Sequence, residues 1–171
     1  MSAKVLQKQL NKRWPKTLLG KLDLVFLDGP YPAQGKSDME GFYDPPFYEW
    51  FQYDQGAVLS AHLPGMQSAG VALTKVPKIK YVVIMSGAKM GGSVSKFGCP
   101  KLASKAFSSP AKIPSLHIIG EADYLKEPSI ELLDSFVDPL QIHHPWGHTV
   151  AKFDEKGQKT LLNFIEKIEK M

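Results

Sequence analysis

Four short runs of largely apolar residues, 22–27, 81–85, 115–119 and 140–144, each stop at turn formers: Asp28-Gly29-Pro30, Ser86-Gly87, Gly120, and Pro145 with Gly147. Runs of this length between such punctuation read as strands. The first, LDLVFL, is almost uninterrupted and predicts a strand buried on both faces. Between the third and fourth runs, Ile130, Leu133 and Val137 fall at helical spacing over 129–137, with Pro128 just before them. After the fourth, 155–170 sets Leu161, Ile165 and Ile168 on one stripe, and Glu155 with Lys159 and Glu166 with Lys170 make favourable i,i+4 pairs. Strands alternating with helices need crossover connections, so the predicted class is α/β, a parallel sheet flanked by helices.

The rest of the chain is read more coarsely. Leu6, Leu10 and Trp14 are four apart, which predicts a short amphipathic helix ended by Pro15. Residues 30–53 are rich in Pro, Gly and aromatics without periodicity and read as a long loop. Over 56–70, the spacing of Ala57, Leu59, Ser60 and Leu63 predicts a helix that Pro64 should kink or shorten.

With 171 residues and 43% apolar content, the chain is predicted to form one domain over 1–171. Its net charge of +4 comes from dispersed lysines, with Arg13 the sole arginine, so nucleic acid is not an expected partner. Cys99 has no second cysteine to pair with, and no apolar run approaches the ~20 residues that span a bilayer. The segment 1–14 is polar and lysine-rich, unlike a secretory signal. These features predict a soluble cytoplasmic protein, with the nucleus as a second compartment; the oligomeric state is left open.

In a parallel sheet, ligands bind beyond the carboxyl ends of the strands, which directs attention to the polar residues there. Asp123 follows the third run in Gly-Glu-Ala-Asp, and His148 follows the fourth in His-His-Pro-Trp-Gly-His. An acid and a histidine on adjacent strand-end loops can meet above the sheet, the carboxylate fixing the imidazole tautomer and steadying the imidazolium. Taken separately, the aspartate also reads as a helix cap and the histidine as a solvated loop residue. His143 and His144 are adjacent on a strand and point to opposite faces, which argues against a shared metal ion, and no cofactor is expected. Tyr43, Phe47, Tyr48, Trp50 and Phe51 read either as walls of an acyl pocket or as loop packing, and Asp28 as a pocket border or a turn cap. Ser60 reads as a helix-face residue and Ser86 as a strand-end residue.

The order acid then histidine resembles that of α/β-hydrolases, whose nucleophile comes earlier on a Gly-x-Ser-x-Gly turn. More specifically, LDLVFLDGPYPAQGKSD, DPPFYEWFQYD, QGAVLSAHLPG, YVVIMSG, PSLHIIGEADYL and HHPWGHTV, in this order, resemble segments of FSH-type serine hydrolases, especially their plant members. The resemblance implies an esterase-like enzyme acting on a small carboxylic ester or thioester through a Ser-Asp-His triad, with Asp123 as the acid and His148 as the base. Two departures fall on that site. The family opens with a strand and a Leu-His-Gly-Phe type loop that supplies part of the oxyanion hole, whereas this chain starts in the following helix. Between Asp54 and Gln55 the family has a further helix and the central strand leading into a Gly-Phe-Ser-Gln-Gly elbow, of which Gln55-Gly56 remains as an oxyanion-hole remnant. The chain is therefore expected to be a truncated, inactive member. Two other readings stay open: a non-catalytic protein that binds an acyl ligand, and a hydrolase using Asp54 or Ser93 as nucleophile.

Overall fold

The computed structural model describes residues 2–34, 41–50, 56–92, 103 and 105–171. The chain forms two compact units, Met1–Gly56 and Ala57–Met171.

In the first unit, α1 spans Ala3–Arg13. The Ser2 side chain accepts from Val5 N at its start, Lys12 and Arg13 favour its negative end, and Pro15 cannot continue the ladder. Val5, Leu10 and Trp14 are buried, while Leu6 is only half-buried. A four-residue helix, α2, follows at Lys16–Leu19. The aperiodic stretch beyond is bracketed by an antiparallel pair, β1 (Tyr31–Pro32) and β2 (Tyr48–Glu49), so the expected long loop returns on itself. The buried strand expected at 22–27 is not present. No ladder includes these residues, and Val25 is 78% and Leu27 67% exposed. Apolar composition supplies the wish to be buried, but a strand exists only through a neighbour that takes its N–H and C=O groups.

The second unit holds the sheet. Here α3 runs over Gly56–Ser68 and continues past Pro64, which therefore does not end it. Three parallel strands, β3 (Val82–Met85), β4 (Ser115–Gly120) and β5 (Leu140–His144), lie in the order β3-β4-β5. Val82 is level with Ser115, and Leu116 with Leu140. The central strand β4 is buried at all six positions, as a strand paired on both edges and covered on both faces must be. The crossover between β4 and β5 contains α4 (Lys126–Leu133). It starts earlier than the 129–137 expected, because proline is tolerated in the first turn, where its missing N–H has no intrahelical partner, and it stops earlier, at Leu133. The closing helix α5 (Glu155–Glu169) is capped by Asp154, whose carboxylate accepts from Gly157 N at 2.7 Å. Its buried stripe is Leu161, Phe164 and Ile165, and Ile168 is half-buried. Ala61 of α3, Val82 and Ile84 of β3, Leu132 of α4 and Phe136 form one continuous core cluster. Among the described residues, no helix is long and apolar enough to cross a membrane.

Candidate active site

The carboxyl ends of β4 and β5 are tied together by their backbones. Glu121 N donates to His144 O at 2.8 Å and Ala122 N to Trp146 O at 3.3 Å, so the ladder continues past the last paired residues into both loops. This approach needs Gly120: a Cβ there would lie 2.5 Å from Trp146 O and 2.9 Å from Gly147 O. The two loops are thereby held with Asp123 and His148 facing each other. His148 Nδ1 lies 3.1 Å from each Asp123 oxygen, across 25 residues of sequence.

The two side chains differ in exposure, and the difference matters chemically. The Asp123 side chain is 1% exposed and that of His148 is 30% exposed. A buried carboxylate must be satisfied by donors. Leu125 N donates to its Oδ1 at 2.9 Å and the Ser86 hydroxyl to its Oδ2 at 2.5 Å, a length typical of a charge-assisted O–H···O⁻ bond. Burial pushes the Asp123 pKa up, but the Ser86 hydroxyl, the Leu125 amide and the neighbouring imidazole together hold it below the ordinary carboxyl value. The Asp123 carboxylate is thus kept ionised where it meets the imidazole. With Nδ1 directed at the carboxylate, Nε2 is the atom left to take a proton, and among the described residues no hydroxyl is hydrogen-bonded to it. The Tyr124 ring lies against the imidazole, centroids 4.9 Å apart.

The other residues singled out in the sequence fall into three groups. His143 and His144 diverge as strand alternation requires: His143 is exposed and bonds Glu121 Oε1 at 2.6 Å, while His144 is buried beside Trp146. Asp28 accepts from Ala3 N at 2.7 Å, which caps α1, and with Tyr43 and Tyr48 it also borders a cleft of about 340 Å³ in the first unit. Lys4 and Lys8 line the same cleft, so its walls are mixed rather than aromatic; Trp50 is half-buried and is not among its lining residues. Phe51, Asp54, Gln55, Ser93 and Cys99 lie outside the described residues. Ser60 is exposed on α3. Ser86 is at the end of β3, as its sequence position predicts, but its bond to Asp123 was not foreseen. The available signal was topological: a polar residue ending the strand beside β4 comes next to the loop that follows β4.

An aspartate and a histidine in contact above the carboxyl edge of a parallel α/β sheet stand in the order and place that the α/β-hydrolase class gives its acid and histidine. A family model described as "Serine hydrolase (FSH1)" matches residues 44–159, and the chain belongs to that family. It is similar to an esterase of Aedes aegypti, at 31% identity over 119 residues, covering 68% of this chain and 39% of that protein. It is also similar to Esterase OVCA2 of Mus musculus, at 27% identity over 124 residues, covering 71% of this chain and 49% of that protein. The chain thus spans less than half the length of these relatives. A solved structure from a study of two fungal esterases from Rhizomucor miehei superposes on 67% of this chain and 48% of its own, with TM-score 0.42 and 16% identity.

Proposed function

We propose that Asp123 and His148 are the acid and base of a carboxylic ester or thioester hydrolase site, and that this chain lacks the nucleophile they serve, so its own hydrolytic activity is negligible. The observation that carries this reading is the imidazole itself. Its Nδ1 lies 3.1 Å from both carboxylate oxygens, while among the described residues no hydroxyl is bonded to Nε2. In acyl transfer the base removes a proton from the attacking hydroxyl and returns it to the leaving group, with the carboxylate steadying the charge between the two steps. No Gly-x-Ser-x-Gly turn occurs in these 171 residues, so that proton has no source. Loss of the nucleophile from a triad costs on the order of a million-fold in turnover, which leaves only residual catalysis. Gln55 is proposed as the remnant of the oxyanion hole. A small ester or acyl compound as ligand, and a cytoplasmic residence, belong to the same reading.

The test combines a short-chain ester assay with a fluorophosphonate label followed by mass spectrometry. The expected outcome is no turnover above buffer and no labelled serine. Stoichiometric labelling of any serine, Ser93 included, would sink the proposal of inactivity.

A further inference from the structure

Ser86 lies one residue beyond β3, is 5% exposed, and has φ +53°. A residue with a Cβ holds this left-handed conformation only where its surroundings impose it. Two hydrogen bonds and the crowding at the next residue do so. Its N–H donates to Ile118 O of β4 at 3.1 Å, and the carbonyl of Gly87 accepts the Ser129 hydroxyl of α4 at 2.7 Å. A Cβ on Gly87 would run into Ile84 and Leu132, so the turn cannot relax into a bulkier form. The outcome is a hydroxyl aimed at Asp123 Oδ2, 2.5 Å away.

The direction of that hydroxyl decides what it can do. It donates to the acid rather than to the base, and it is buried, so it is not poised as an attacking oxygen. Its effect falls on the carboxylate plane. A carboxylate held at one oxygen can still turn about its Cβ–Cγ bond, whereas one held at both cannot. Leu125 N holds Oδ1 at 2.9 Å and Ser86 holds Oδ2, and with both in place the carboxylate edge presents two oxygens to His148 Nδ1. The other ionisable side chains nearby, Glu121, Lys126 and His143, form a separate exposed network and do not share this role.

We propose that Ser86 is a positioning residue: its hydroxyl locks the Asp123 carboxylate in the plane that keeps His148 protonated at Nδ1 and open at Nε2. This rests on the reading of Asp123 and His148 as an acid–base pair. The strained backbone at Ser86 is then the structural cost of delivering a hydroxyl to a carboxylate that the β4 loop alone holds at one point.

The experiment is nitrogen-15 and proton NMR of the histidine rings in the full chain, comparing the native sequence with Ser86→Ala, Ser86→Gly and Asp123→Asn. In the native chain, neutral His148 is expected as the Nδ1–H tautomer, with a low-field Nδ1 proton. Ser86→Ala keeps the strained backbone and Ser86→Gly relieves it, yet both remove the hydroxyl. Both are expected to lose the low-field proton and move His148 toward the Nε2–H tautomer of a free imidazole. In the Asp123→Asn background, adding Ser86→Ala should change nothing further, since the two act through one contact. A native-like His148 signal in either single variant overturns the inference, as does failure of both variants to fold, which would make Ser86 a purely structural residue. The two proposals fail separately: a labelled serine defeats the claim of inactivity without touching the imidazole signal, and an unmoved imidazole defeats the role of Ser86 without altering the labelling.

Discussion

His117 lies in the middle of β4, is 2% exposed, and packs edge-on against Phe136 with ring centroids 4.9 Å apart. Its Nε2 has no hydrogen-bond partner among the described residues. Burial with nothing to balance a charge pushes its pKa down to about 4, from 6.5. The unfolded chain therefore binds a proton between those values and the folded chain does not, so stability is full above pH 6.5 and declines toward pH 4. The loss is expected to reach roughly 3 kcal/mol. Urea unfolding at pH 7 and pH 4.5 measures it, and His117→Leu should flatten the difference; an unchanged slope in that variant would place the acid sensitivity elsewhere. Asp123 contributes a separate loss at lower pH. Its depressed pKa gives stability that is present above the ordinary carboxyl value and disappears as pH falls through the folded one. At this scale, sequence showed that Asp123 and His148 stand at strand ends but not that Ser86 completes their surroundings. Hydroxyl direction depends on φ, and nothing in Met-Ser-Gly announces the +53° at Ser86.

The elements differ in how well pattern predicts them, and the difference follows where their partners come from. Helix α5 needs only its own stripe and a cap, both local, and its start and the positions of Leu161 and Ile165 were legible. The runs behind β3, β4 and β5 were legible because flanking turn formers bound them and each finds a parallel neighbour. Residues 22–27 have the same composition and no ladder, which leaves Leu24, Val25 and Leu27 exposed. Polar replacement there should therefore cost little. Val25→Ser with Leu27→Ser is expected to change unfolding free energy by no more than about 0.5 kcal/mol per site while reducing self-association. Chemical denaturation and light scattering report the two effects. A cost of several kcal/mol would mean that these side chains are buried in solution. Two prolines lie inside helices: α3 runs on past Pro64 as far as Ser68, and Pro128, placed before its helix by the sequence pattern, falls within α4. Pro64 within α3 and Pro128 in the first turn of α4 each remove a single donor, and how much that matters depends on the rest of the helix.

For the whole molecule, the expectation of one cooperative domain leads to a measurement. Trp14 and Trp50 belong to Met1–Gly56 and Trp146 to Ala57–Met171. Variants retaining only Trp14 or only Trp146 should unfold with the same urea midpoint if the chain behaves as one cooperative unit, whereas two midpoints would define two domains. By itself, the sequence determined what depends on composition and local order: the α/β class, the family, and an acid followed by a histidine at successive strand ends. Tertiary structure alone decided which of four apolar runs become strands, because a ladder requires a partner that the run does not contain. It also decided which polar atoms meet. The register of β4 against β5 and the glycine that lets their loops touch bring Asp123 to His148, and the end of β3 brings Ser86 to Asp123. Hydrogen bonds over 25 and 37 residues of chain are set by the sheet, and no local pattern encodes them.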